Sequence, residues 1–291
     1  MLKAYLFCYN YYRGEDMNKD YLLLIVLFTL LMIVLLFITS MDSNYDLNIY
    51  AFNAGKADSF IITKDGKTVI IDTGEKNLYD KIDKFLKNKN VAKIDYLIIS
   101  HFDKDHVGSA SKIIDNYEIG TVYQSNYPKD TDPYNNYQSS LISKGIEPVT
   151  VREKISFSVD DMDFEIIPPE KEVYNKDPSN NSSLIVSIKY KNTSYLFTGD
   201  IENDRIEEFV NYNTSTYDFL KVPYHGHNQT KFSSLVENVK PKYAVITSSL
   251  LRMEDKKVIK ILEENSVNYY LTRKGNVVIS SDGDIIKIAY E

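Results

Sequence analysis

The sequence predicts a mixed α+β domain, and three observations carry that reading. Eleven short runs rich in β-branched and aromatic residues occur from residue 47 onward, and five stretches with apolar residues at helical spacing lie between them. Three of the runs end abruptly in histidine or aspartate. The first two features set the class, and the third suggests that the fold is built around a site.

Taken from the N-terminus, no charged residue occurs between Tyr21 and Met41, and residues 22–38 are almost wholly Leu, Ile, Val, Phe and Met. A helix of that length and apolarity crosses a bilayer. Residues 21–40 are therefore expected to be a single transmembrane anchor; Ile38-Thr39-Ser40 is a poor cleavage site for a signal peptide. Arg13 and Lys19 before the run, against Asp42 and Asp46 after it, place residues 1–20 in the cytoplasm. Met17 is an alternative start. A domain of residues 42–291 is then expected outside the cytoplasm, on a single-pass membrane protein.

A chain of 291 residues with 43% hydrophobic and 26% charged residues buries a core and makes one or two domains. Its net charge is −7, and without the first forty residues 31 basic groups face 38 acidic ones. That sign excludes nucleic-acid binding through a broad basic surface, though not through a cation-lined pocket. Cys8 is the only cysteine, which excludes internal disulfides and thiolate zinc clusters, so any metal is held by nitrogen and oxygen. The four histidines form two tight pairs, His101/His106 and His225/His227.

Strands are expected over 47–52, 59–63, 68–71, 96–99, 164–167, 184–190, 194–197, 219–222, 243–246, 277–280 and 285–288. Helices are expected over 78–86, 106–114, 202–210, 233–239 and 256–264. Lys64-Asp65-Gly66-Lys67 and Ser281-Asp282-Gly283-Asp284 read as hairpin turns, so the domain begins and ends with hairpins. Residues 126–138 and 170–181 read as surface loops.

The chemistry sits where apolar strands meet polar residues: 96–100 runs into His101-Phe102-Asp103-Lys104-Asp105-His106, 195–199 into Asp200, and 219–223 into Tyr224-His225-Gly226-His227. Neighbouring strands lie about 5 Å apart, so ligands at one end of several strands converge. His101, Asp103, Asp105 and His106 are too dense for one ion, and two ions sharing them is the natural reading. The plain alternatives are helix caps at Asp103, Asp105 or Asp200 and a polar loop at His225 and His227, but a cap leaves the histidines without a role.

These residues resemble the metallo-β-lactamase superfamily and, within it, the hydrolase domain of ComEC-type DNA-uptake proteins. The resemblance rests on Phe52-Asn53-Ala54-Gly55-Lys56-Ala57-Asp58, Ile71-Asp72-Thr73-Gly74, the His101 to His106 run with Gly108, Asn181-Ser182-Ser183-Leu184, Thr198-Gly199-Asp200 and Lys221-Val222-Pro223-Tyr224-His225-Gly226. It implies a four-layer αββα sandwich, preceded here by the transmembrane helix. It also implies that His101 and Asp103 bind a first ion, that Asp105, His106 and His225 bind a second, that Asp200 bridges them and that Asp72 supports. Histidine usual in place of Asp103, and the absence of one across Asn180 to Ser183, are departures that ComEC-like members share. Tyr224 and Lys56 depart from those members as well.

The expected cofactors are two divalent ions, zinc or manganese, which lower the pKa of a shared water so that hydroxide exists at neutral pH. Asp105 and His227 are the candidate catalytic residues, His227 as the acid for the leaving group. The expected activity is that of a phosphodiesterase or nuclease, with hydrolysis of another phosphoester (a wall polymer or a nucleotide) or an inactive binding module as alternatives. The expected partners are the membrane and DNA or another phosphoester substrate, with no obligate protein partner. Ile70-Ile71-Asp72-Thr73-Gly74 also resembles an aspartic-protease signature, but a second copy is missing and the histidines stay unexplained.

Overall fold

The computed structural model describes the backbone of residues 19–40 and 45–291 and the side chains of 20–33 and 45–291. The described chain falls into two units, a helix α1 (Lys19–Ser40) and a domain from Tyr45 to Glu291. Every large apolar side chain of α1 from Tyr21 to Ile33 is exposed. Among the described residues no helix is long and apolar enough to cross a membrane, so the transmembrane span expected over residues 21–40 is not found. The expectations for residues 1–18, Met17 included, and for a boundary at residue 42 lie outside the described residues.

The domain is built on two sheets. In the first, β1 (Leu47–Ala51), β2 (Ser59–Lys64) and β3 (Lys67–Thr73) form an antiparallel meander. β4 (Lys93–Ile99), β5 (Glu118–Gln124) and β6 (Val149–Thr150) continue it in parallel, and the hairpin of β14 (Val277–Ser281) and β15 (Ile286–Tyr290) pairs with β1 on the other side. The second sheet holds antiparallel β7 (Ile155–Val159), β8 (Met162–Ile167), β9 (Ile185–Tyr190) and β10 (Thr193–Phe197). Parallel β11 (Phe219–Lys221), β12 (Tyr243–Ile246) and β13 (Asn268–Leu271) complete it.

Period-2 alternation explains the layers, because successive side chains of a strand point to opposite faces. Val69 and Ile71 of β3 and Tyr195 and Phe197 of β10 enter one apolar cluster shared by both sheets, while Ile70 and Leu196 enter two separate outer clusters. Helices α2 (Tyr79–Asn88), α3 (Lys104–Val107), α4 (Ala110–Asn116) and α5 (Asp132–Lys144) contribute to the cluster outside the first sheet. After the short α6 (Pro178–Asn181), helices α7 (Asn203–Tyr212), α8 (Phe232–Val239) and α9 (Lys256–Glu264) contribute to the one outside the second. Three apolar layers separate four layers of structure, the expected αββα sandwich.

All eleven expected strands and all five helices are present, the expected helix over 106–114 being divided into α3 and α4. The hairpin turn between β2 and β3 carries Asp65 and Gly66 at φ 46° and 80°, as a tight hairpin requires. Two loop expectations are corrected. Residues 126–138 run into α5, and 170–181 end in α6. α5 is rich in Asn, Ser and Gln and buries only Tyr137, Ser140 and Leu141, so its apolar periodicity is too thin to read. β5, β6, β7 and β13 were not expected from the sequence either; β5 carries Gly120 in its interior, and β6 has two residues.

Candidate metal centre

β3, β4, β10, β11 and β12 deliver their C-terminal ends to the same region, and the loops that leave them carry the site. Asp72 ends β3, Ser100 to His106 follow β4, Asp200 follows β10, His225 follows β11 and Thr247 follows β12. Ligand-capable atoms of Asp105, His106, Asp200 and His225 lie within 4.8 Å of one another. His101 stacks at 4.0 Å between ring centroids on His106, and its Nε2 is 3.8 Å from Asp103 Oδ1. The structure thus brings together every residue that the sequence pointed to as a metal ligand, and divides them into a tight group and a looser pair.

Each of the three buried histidines is held by its Nδ1. His106 Nδ1 donates to Asp72 Oδ2 at 2.8 Å. His225 Nδ1 lies 3.1 Å from the Thr247 carbonyl, to which it donates. His101 Nδ1 lies 3.1 Å from Ser100 Oγ and 3.2 Å from Ser183 Oγ. The Ser100 hydroxyl gives its proton to Asp72 at 2.6 Å, so it accepts from His101. With every Nδ1 engaged, the three Nε2 atoms face inward. All three are buried without a hydrogen bond of good geometry. Asp200 Oδ2 is 2.8 Å from His225 Nε2 and 3.3 Å from His106 Nε2, but off the ring N–H direction. Orphaned ring nitrogens beside carboxylates, each ring locked by an outer partner, are the donor set that suits divalent ions.

The electrostatics agree. Five aspartates, 58, 72, 103, 105 and 200, lie within reach of the three ring systems. Burial pulls His106 and His225 down, but Asp200 with its neighbours outweighs it and holds both above the ordinary histidine value, His106 far above. His101, desolvated and beside His106, is pushed down to about 4. Asp200 is held well below the carboxylate range, because His225, His106 and Lys221 outweigh its desolvation. In the absence of ions the cluster therefore holds protons in their place.

The plain alternatives fail on geometry. Asp103 occupies the cap position of α3 but makes no side-chain cap bond; its Oδ1 faces Lys129 Nζ at 2.6 Å and the Ser179 hydroxyl. The first turn of α7 is served by Asn181, whose Oδ1 accepts from the amides of Glu202 and Arg205, which leaves Asp200 free for the site. Asp72 has both oxygens committed, to Ser100 and His106, and not to a second aspartate sharing a proton.

Backbone strain marks the same place. Asp72, Tyr224 and His225 have φ of 56°, 48° and 52°, a region costly for side-chain-bearing residues and frequent at functional sites. Gly199, at φ 55°, is required in the strict sense: a Cβ there would lie 2.8 Å from Ser183 Cβ. His227 lies outside the cluster, half-buried, with its ring 5.0 Å from that of Tyr224. Burial, Lys56 and His225 lower its pKa, which makes a neutral ring the weaker candidate to protonate a leaving group.

The sequence assigned no role to several residues that the structure places here. Lys221 is 1% exposed and bonds Asp58, Asp200 and the Gly199 carbonyl. Thr247 Oγ1 donates to Asp58 at 2.6 Å beside His225. Glu202, buried and raised in pKa by that burial, bonds Asn180 at 2.7 Å. A lysine on a strand flanked by buried apolar residues was the readable signal for Lys221; for Thr247 and Glu202 there was none.

The family model of the metallo-beta-lactamase superfamily matches residues 53–248. ComE operon protein 3 of Bacillus subtilis is 24% identical over 201 residues, 67% of this chain and 25% of that protein. Recombination protein 2 of Haemophilus influenzae is 26% identical over 204 residues, 67% of this chain and 23% of that protein. The match spans about a quarter of the length of these relatives. Among solved structures, the metallo-beta-lactamase fold protein YhfI of Bacillus subtilis superposes with a TM-score of 0.56 at 9% identity, covering 84% of this chain and all of that one, which speaks to fold alone. A matched family model, a two-sheet sandwich and a histidine–aspartate cluster at its strand ends agree: the chain belongs to the metallo-beta-lactamase superfamily and carries a ComEC-like domain of that family.

Proposed function

We propose that this protein is a metal-dependent hydrolase of phosphodiesters, a nuclease in the first instance, working with two divalent ions held by His101, Asp103, Asp105, His106, Asp200 and His225. The observation that carries the proposal is the set of three buried, orphaned Nε2 atoms facing shared carboxylates. Nitrogen and oxygen donors without a thiolate suit zinc or manganese. The chemistry that such ions supply is a water of lowered pKa and neutralisation of charge growing on phosphoryl oxygens. The residues do the rest. Asp72, Thr247 and the Ser100–Ser183 pair aim the rings. Lys221 holds Oδ1 of Asp200 at 3.1 Å and leaves Oδ2 toward the histidines.

The test is cleavage of end-labelled single- and double-stranded DNA by the full chain loaded with zinc or manganese, beside Asp105→Asn. Cleavage that requires the ion and is lost in the variant supports the nuclease. Ions bound without cleavage of DNA move the assignment to another phosphoester. Attachment to a membrane through residues 21–40, with the domain outside the cytoplasm, belongs to the same proposal. It rests on the uncharged run from Tyr21 to Met41, and protease accessibility in intact cells tests it.

A further inference from the structure

Three lysines meet the five aspartates of the centre, and their positions separate their roles. Lys221 is buried, with its ammonium engaged by Asp58, Asp200 and the Gly199 carbonyl, so it is framework. Lys56 and Lys129 reach in from loops, with 15% and 26% of their side chains exposed. Lys56 Nζ is 3.3 Å from Asp105 Oδ2 and 5.3 Å from the Tyr224 ring centre. Lys129 Nζ is 2.6 Å from Asp103 Oδ1. Each thus sits on a carboxylate assigned above to an ion, one on the tight group and one on the looser pair.

Ions held by those carboxylates would make the local charge positive. Five carboxylates stand against three ammonium groups, and protons on His106 and His225 balance the remaining two negative charges; two divalent ions in place of those two protons would leave an excess of two positive charges. The two partly exposed ammonium groups would then have to share their carboxylates with the ions, and their four-carbon stems would let them turn toward solvent. On a domain that carries the whole net charge of −7, a polyanion finds attraction only at such a local cluster.

Resting on the phosphodiesterase reading above, we propose that Lys56 and Lys129 bind the phosphates on either side of the scissile one, which makes a nucleic-acid strand, and not an isolated phosphate ester, the substrate class. A lysine ammonium is a compact point charge that suits a phosphate without fixing its orientation or the base attached.

The test is binding by fluorescence anisotropy. The full chain, loaded with zinc, is titrated against a labelled single-stranded phosphorothioate of about twelve nucleotides between roughly 50 and 200 mM salt. Lys56→Gln and Lys129→Gln are each expected to weaken binding about tenfold at the lowest salt and to reduce the slope of log affinity against log salt by about 0.7. Lys→Arg at either position should restore both, and zinc content measured in parallel should stay level. Unchanged affinity and slope in both Gln variants, or a loss of zinc that accounts for the weaker binding, would overturn the proposal. Hydrolysis of bis(p-nitrophenyl) phosphate by the unaltered chain separates the two readings. A chain that cleaves this isolated diester but does not bind the strand refutes the lysine clamp and leaves the phosphodiesterase; a chain that does neither refutes both.

Discussion

The two halves of the centre are built to different standards. Asp105, His106, Asp200 and His225 lie within one narrow sphere, and the three members other than Asp105 are buried. His101 is as deeply buried, but its partner Asp103 is 29% exposed and held by Lys129 and Ser179, with 3.8 Å between the two. The tight half draws its members from three strand ends of two sheets, each ring locked from behind; the loose half depends on neighbouring residues of one loop. Rigid strand ends preorganise ligands, and a loop does so only as well as its outer contacts hold it.

The largest effect expected is at Asp200, the carboxylate that the tight half holds between its two histidines. Asp200→Asn keeps the shape but removes the charge facing His106, His225 and Lys221, so hydrolysis of bis(p-nitrophenyl) phosphate should fall by about a thousandfold or more and ion content to one or fewer per chain. Next, Asp105→Asn and Asp103→Asn set the halves against each other. The first is expected to lower ion affinity about a hundredfold and the second about tenfold, read by competition with a coloured chelator. Equal losses would break the comparison.

A smaller effect concerns pH. His106 and His225 have folded values above their ordinary 6.5, so their contribution to stability is full below that pH and is lost as pH rises through the folded values. Asp72 and Asp200 lie below their ordinary 3.8, so their contribution is present above that pH and is lost as pH falls through the depressed values. His101, held at about 4, works the other way and costs stability as pH falls below its ordinary 6.5, so an ion-free sample should be most heat-stable near the upper end of the range from about pH 4 to 6.5 and lose melting temperature toward pH 9. Added zinc should raise the melting temperature most at the alkaline end, because it competes with protons for the same nitrogens. The smallest effect is at Thr247→Val, which removes one hydrogen bond to Asp58. It should cost about 1 kcal/mol in denaturant unfolding and loosen the tight half alone.

Much of this was legible along the chain. β10 alternates so regularly that its faces can be assigned from Tyr195, Leu196 and Phe197, and the His101–His106 run announces its chemistry by composition. α5 was not legible, because a helix held by Tyr137, Ser140 and Leu141 shows too few apolar positions to reveal a period. Nor was the pairing of Asp103 with Lys129 and Ser179, which lie 26 and 76 residues away.

By itself, then, the sequence determined the α+β class, the layered strands and the identity of the metal-capable side chains, because periodicity and donor chemistry are local properties. Only the tertiary structure decided which of those side chains share a sphere, that Lys221 lies buried among the carboxylates, and that Lys56 and Lys129 meet opposite halves of the centre. Those outcomes depend on how two sheets bring the ends of β3, β4, β10, β11 and β12 to one edge. Contacts between residues far apart in the chain leave no period and no motif to read.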